Sequence, residues 1–310
     1  MRHLITEETH PMRPTKDWLS RNWQPELPKA VSYRTRRLDA YTVRSMEMGD
    51  GPPLLFVPGL AGGSSLHLPL LTQLAQYFRI TTFEFRGEDV LFTRNNTTSL
   101  HTLADDLAEF IHLGGWERPY VLGTSYGGIL SLLMAKKHPG LIQSLVVQGV
   151  GDRFQPGVLR YLTGQILNRF PLMEANPFIR QVFTMLLGGA NVPARLIDFA
   201  MRQSWTTDQA VMARRFRSVA RLALAEQIQG LSVPTLMLTG NRDIIVTKSS
   251  AEHLASNLTD CRMIPIHGGG HLAGITHPAE IASHTWEFCR EFAMVGYPSL
   301  SFRFPTVKIV

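Results

Sequence analysis

The sequence predicts an α/β protein: a mostly parallel sheet with helices on both faces and a helical cap inserted late in the chain. Two observations carry that prediction. From Leu54 onward, short apolar runs alternate with segments of helical period, the pattern of strands buried on both faces and covered by crossover helices. The alternation stops at Gly151 and resumes only after Gly230, an interval too long for a structureless loop in a compact domain.

Residues 1–32 hold Pro11, Pro14, Pro25 and Pro28 and no sustained period, so they read as an irregular N-terminal arm. The core is assigned to 33–150 and 231–295. Segments 34–38 and 41–48 read as antiparallel strands joined by a tight turn at Asp39, forming the sheet edge. Strands follow at 54–57, 80–85, 120–123 and 144–150, with helices at 68–78, 103–113 and 126–137. In 103–113 the apolar residues recur at helical spacing while Asp105, Asp106 and Glu109 take the wet side. After the interruption come strand 235–239, helix 249–257, strand 262–266 and helix 278–292. Within it, 158–170, 178–187, 194–203 and 208–228 each show helical spacing. Residues 151–230 are therefore expected to form a cap above the strand ends, where open α/β sheets hold ligands. Residues 296–310 form a C-terminal tail.

Composition narrows the function classes. Of 310 residues, 44% are hydrophobic and 18% charged, which suits a globular chain and excludes a collagen-like or wholly disordered one. No apolar run reaches the roughly 18 to 20 residues that span a bilayer. The first residues lack a continuous apolar segment, and Glu7, Glu8 and Asp17 argue against a transit peptide, so the expected compartment is the cytoplasm. There the twofold glycosylation match in Asn95-Asn96-Thr97-Thr98 has no consequence. Cys261 and Cys289 sit in no metal-ligand spacing and read as free structural thiols; no metal or cofactor is expected. The net charge is +6, and Arg214, Arg215, Arg217 and Arg221 share one predicted helix. With Ala and Val interleaved, these arginines read as the solvated face of an amphipathic helix; a docking face for an acidic carrier protein is the weaker alternative. No RNP, zinc-finger or helix-turn-helix signature accompanies the charge, which argues against nucleic acid as a partner.

The chemistry is carried by Gly123-Thr124-Ser125-Tyr126-Gly127-Gly128, a G-x-S-x-G between an apolar strand and an apolar helix. On such a bend the serine is held in a strained conformation with its hydroxyl exposed, and the flanking glycines let the two backbones approach. The dipole of the following helix favours negative charge at this point. The motif in this setting resembles the α/β-hydrolase superfamily of serine esterase type, over roughly residues 33–293. The resemblance implies an oxyanion-hole loop after the third strand, a place held by Phe56-Val57-Pro58-Gly59-Leu60-Ala61-Gly62, with Pro58 where His is commonest. It further implies the backbone N–H groups of Leu60 and Tyr126 as the two oxyanion donors.

A serine hydroxyl needs a base within hydrogen-bond reach. His271, in Gly268-Gly269-Gly270-His271-Leu272 ahead of Pro278, matches the family's Gly-His signature; His267 is the nearest rival but lies at the strand end. The base needs a carboxylate to fix its tautomer. Asp243, in Gly240-Asn241-Arg242-Asp243, matches the family's Gly-x-x-Asp loop and completes the chain order Ser, Asp, His. Asp152, just past strand 144–150, is the alternative, because some members take the acid from that strand. One departure concerns Glu84-Phe85-Arg86-Gly87-Glu88-Asp89-Val90, where many relatives read Asp-x-x-Gly-x-Gly-x-Ser. Arg86 and Gly87 are kept, so the turn is expected to survive with a reshaped loop beyond it. Serine at the elbow argues against carboxylate-nucleophile enzymes such as epoxide hydrolases.

The implied activity is hydrolysis of a carboxylic ester or related acyl bond in a small to medium hydrophobic substrate, through an acyl-enzyme. Phe154, Tyr161, Leu162, Phe170, Met173, Phe178, Phe183, Met185 and Leu186 supply apolar area for a pocket or for the cap's own core. The same triad would serve an acyltransferase or a carbon–carbon hydrolase, although Leu272 stands where many carbon–carbon hydrolases carry Trp. From another class, a ligand receptor that lost turnover fits the same pocket.

Overall fold

The computed structural model describes residues 6–8, 31–86, 99–153, 177–220 and 222–292. Its strands are β1 (Thr6–Glu8), β2 (Val31–Arg37), β3 (Thr42–Met48), β4 (Pro53–Val57), β5 (Arg79–Thr82), β6 (Tyr120–Thr124), β7 (Leu145–Gln148), β8 (Thr235–Gly240) and β9 (Cys261–Ile266). They form one sheet in the order β1-β2-β3-β5-β4-β6-β7-β8-β9. The pairings through β3 with β5 are antiparallel, and those from β5 to β9 are parallel. The expected irregular arm is corrected at Thr6–Glu8, which pair with Tyr33, Arg34 and Thr35 and displace β2 and β3 from the edge. Three polar residues carry no period, so nothing local announces them; the unpaired backbone of β2 recruits them.

Strand alternation sorts the core into two layers. On β4, Leu55 and Val57 enter one cluster while Leu54 and Phe56 enter the other. β6 divides in the same way, Val121 against Leu122, and so do β7 and β8. The first layer is closed by helices α3 (Leu100–Gly114) and α4 (Tyr126–Lys137), which follow α1 (Gly63–Leu66) and α2 (Leu68–Leu74) in the chain. The second layer is closed by α2 and by α11 (Pro278–Arg290), after α5 (Pro177–Leu186), α6 (Ala194–Ser204), α7 (Gln209–Val219), α8 (Leu224–Ile228), α9 (Lys248–Ala255) and α10 (Ala273–Thr276). Ser99 caps α3 by accepting the Thr102 N–H at 3.0 Å, and Gly115 ends it in the left-handed region.

Strands 80–85 and 144–150 were expected to run further than β5 and β7 do, because Phe83, Phe85 and Val150 are buried beyond the ladder ends. The single helix expected over 208–228 is two, α7 and α8, with Ala223 non-helical between them at φ −97°, ψ 85°. The cause is tertiary: the Asp152 carboxylate accepts the Ala225 N–H at 2.8 Å and starts α8 afresh. Among the described residues no helix is long and apolar enough to cross a membrane. Cys261 and Cys289 are free.

The β4-to-β5 connection runs through α2 on one face and the β5-to-β6 connection through α3 on the other. The strand order therefore reverses between β4 and β6, and a crevice opens at their carboxyl ends. Register places Val57 beside Gly123 there. Close packing at this point demands glycine. A Cβ on Gly127 would lie 2.2 Å from the Val57 carbonyl oxygen and 2.3 Å from that of Pro58. Gly127→Ala is expected to cost about 2 to 3 kcal/mol of stability, read by urea denaturation, since only backbone can move aside. An unchanged midpoint would contradict this packing.

Candidate active site

The crevice is furnished by the segments that follow β4, β6, β8 and β9. Ser125 bridges β6 and α4 at φ 49°, ψ −114°, a region that side chains rarely adopt. Its backbone N–H is held by the Gln148 carbonyl at 2.8 Å. Gly123 permits the bend, because a Cβ there would lie 2.7 Å from the Gly127 oxygen. Ser125 is half-buried at the helix N-terminus.

The structure brings the three residues singled out in the sequence into one line. Ser125 Oγ lies 2.9 Å from His271 Nε2, and His271 Nδ1 lies 2.9 Å from Asp243 Oδ2. Asp243 has a side chain 2% exposed, and its other oxygen accepts the N–H groups of Ile245 and Val246 at 2.7 and 2.9 Å. Burial alone would raise this carboxyl; the His271 imidazole and the two backbone donors outweigh it and hold the group below the usual carboxylate range. An ionised Asp243 keeps the proton on Nδ1 and leaves the Nε2 lone pair facing the hydroxyl. The histidine loop is clamped from two sides. Gln148 Nε2 donates to the His271 carbonyl at 3.0 Å, and the Leu272 N–H donates to the Leu186 carbonyl of α5 at 2.9 Å.

The rivals lie elsewhere. His267 is exposed. Asp152 is buried, caps α8 through Ala225 and pairs with Arg153 at 3.3 Å. Asp152→Ala is expected to leave kcat within about threefold while lowering stability by about 1 kcal/mol, the worth of a helix cap. A collapse of kcat in a folded variant would reinstate it as the acid.

The loop after β4 runs against the serine: a Cβ on Gly59 would lie 3.8 Å from Ser125 Cβ. Leu60 is half-buried and Tyr126, at the first turn of α4, is 2% exposed. Three residues outside the predicted site pin this loop. His67 Nε2 lies 3.5 Å from the Gly59 N–H and 3.4 Å from Thr124 Oγ1, and burial pulls its imidazole down to about 3, so the ring stays neutral and accepts. Thr207 Oγ1 accepts the Gly62 N–H at 2.9 Å. Arg215 Nη1 donates to the Leu60 carbonyl at 2.9 Å. The solvated face expected for the arginine helix is corrected at Arg215, which is 5% exposed; Arg217 is exposed, Arg214 is half-buried, and Arg221 lies outside the described residues. The signal was in the spacing, since Arg215 sits four residues from both Val211 and Val219, which are buried.

Arg86 forms a bidentate pair with Asp106 of α3, fixing the end of the turn after β5, while Gly87 and the loop to residue 98 lie outside the described residues. So do helix 158–170 and Phe154, Tyr161, Leu162, Phe170 and Met173. Phe183 joins Ile179, Ile197 and Phe199 in a cluster of α5 and α6 that packs on Leu66 and Ile275, with Leu186 against it; Phe178 and Met185 are exposed. A cavity of about 770 Å³ lies beside residues 62–65, Phe85 and Thr207, along β2 and β3. Ser125 and His271 do not line it. Among the described residues no group of three His, Cys, Asp or Glu is placed to hold a metal ion.

Comparison with known proteins bears on the fold. The family model described as "alpha/beta hydrolase fold" matches residues 52–278. A relative from Stutzerimonas stutzeri (strain A1501), named "Putative carbamate hydrolase RutD", is 23% identical over 234 residues, covering 73% of this chain and 87% of that protein. The solved enol-lactonase from Burkholderia xenovorans LB400 superposes with a TM-score of 0.71 at 17% identity, over 83% of this chain and 99% of that one. A membrane phospholipase A superposes with a TM-score of 0.70 at 21% identity, over 84% of this chain and 86% of that one. With the family model spanning most of the sequence and every strand of the crevice in place, the chain belongs to the alpha/beta hydrolase fold family.

Proposed function

We propose that the protein is a serine hydrolase that cleaves a carboxylic ester or related acyl bond through an acyl-enzyme, with residues 151–230 forming a cap over the core. The observation that carries this reading is the continuous relay from Ser125 through His271 to Asp243, at 2.9 Å per link. Ser125 Oγ attacks the carbonyl carbon as His271 Nε2 takes its proton. The carbonyl oxygen becomes an oxyanion facing the N–H groups of Leu60 and Tyr126, each such donor being worth about 3 kcal/mol in the transition state. The imidazolium, stabilised by Asp243, then gives its proton to the leaving group, and the acyl chain stays on Ser125. Water, deprotonated by the same imidazole, attacks the acyl-enzyme and releases the acid. A carbamate presents the same carbonyl carbon, so the name carried by the bacterial relative falls within this chemistry.

A panel of p-nitrophenyl esters from acetate to octanoate, together with a phenyl carbamate, tests the reading. Sustained turnover that peaks at one acyl length is expected. A single equivalent of phenol released per protein, with no further turnover and a raised melting temperature, would instead describe a receptor that traps its ligand.

A further inference from the structure

The helix that carries the arginine cluster reaches both of the proposed oxyanion donors. Arg215, 5% exposed, donates from Nη1 to the Leu60 carbonyl at 2.9 Å. Its guanidinium carbon lies 4.9 Å from the centre of the Phe85 ring and 5.9 Å from that of Tyr126. Phe85 in turn meets Tyr126 edge-on, with ring centres 5.5 Å apart. One turn along α7, Ser218 Oγ donates to the Arg215 carbonyl at 2.6 Å. Just ahead of α7, Thr207 accepts the Gly62 N–H at 2.9 Å. The loop after β4 has no side-chain bulk of its own at Gly59 and Gly62, and its peptides are free to rotate unless held from outside. The Leu60 carbonyl belongs to the peptide next to the one whose N–H would face the oxyanion, so fixing the first restrains the second.

We propose that Arg215 is a positioning residue, which locks the Leu60 peptide and the Tyr126 side chain so that both oxyanion donors are aimed before substrate arrives. Thr207 is its companion at the other end of the loop. The elements from α5 to α7 then do more than roof a pocket: their seating on the core sets the geometry of transition-state binding. Preorganised donors owe their effect to being fixed in advance, and a donor that swings loses most of it. This assignment rests on the serine hydrolase reading above.

The test compares Arg215→Met, Arg215→Lys and Thr207→Val with wild type on p-nitrophenyl butyrate, alongside inhibition by butylboronic acid, which forms a tetrahedral adduct on a nucleophilic serine. Arg215→Met is expected to lower kcat by about 10- to 100-fold with KM within about threefold, and to weaken the boronic acid in parallel. Arg215→Lys should recover part of the loss, and Thr207→Val should show a smaller drop of the same kind. Folded variants with unchanged kcat and boronic acid affinity would overturn the proposal, as would a rise in KM alone. If Arg215→Met fails to fold, Arg215→Lys and Thr207→Val decide by the same criteria. Ser125→Ala separates the two claims. Activity retained in that variant removes the serine reading and this assignment together; activity lost there, with Arg215 variants equal to wild type, removes the assignment alone.

Discussion

Ser125→Ala is expected to lower kcat on p-nitrophenyl butyrate by roughly 10⁵- to 10⁶-fold, with KM little changed and the melting temperature within a few degrees of wild type. The hydroxyl is the only group lost. It meets His271 Nε2 at 2.9 Å from a backbone strained to φ 49° and held by the Gln148 carbonyl, so no neighbouring side chain inherits its position. Removing the nucleophile leaves the loop after β4 intact, and a small residual rate from oxyanion binding alone is consistent with the account. Initial rates and a thermal melt monitored by circular dichroism check both halves. A folded variant within about tenfold of wild type would show that the chemistry uses another nucleophile.

Asp243→Asn is expected to cost about 10⁴-fold in kcat, although it changes almost no volume. The reason lies in what surrounds the carboxylate. One oxygen accepts the N–H groups of Ile245 and Val246 at 2.7 and 2.9 Å, so the amide oxygen must take that place. Its NH₂ is then turned toward His271 Nδ1, which must accept rather than donate. The ring proton moves to Nε2 and points at Ser125 Oγ, where a lone pair is required. An asparagine variant with more than about a tenth of wild-type kcat would mean that this carboxylate does not set the tautomer. His271→Ala serves as the reference, since it removes the base whatever its tautomer.

What could be read from sequence alone follows from where the physics is local. Ser125 stands between glycines and His271 follows a run of them because backbone must pass close to backbone there: a Cβ on Gly270 would lie 2.4 Å from the Leu186 carbonyl. Such steric demands write themselves into short motifs. Asp243 is legible for the same reason, through the turn that its own side chain closes over Ile245 and Val246. Arg215 was misread because charge suggests solvent, and its partners, Leu60 and Phe85, lie more than a hundred residues away. Its place on the stripe of Val211 and Val219 was the available sign. His67 offered none, since a lone histidine ahead of an apolar helix has no pattern, and only the folded loop shows it accepting the Gly59 N–H. Thr6–Glu8 and the break before α8 are likewise tertiary, decided by the open edge of β2 and by Asp152.

The central claim is that Ser125 is the activated nucleophile of this fold. Mapping by mass spectrometry the residue modified by a fluorophosphonate probe tests it most directly. The account predicts one adduct on Ser125, absent from Ser125→Ala and slowed by orders of magnitude in His271→Ala. An adduct on a different residue, or a folded wild-type protein that takes up no probe, would contradict it.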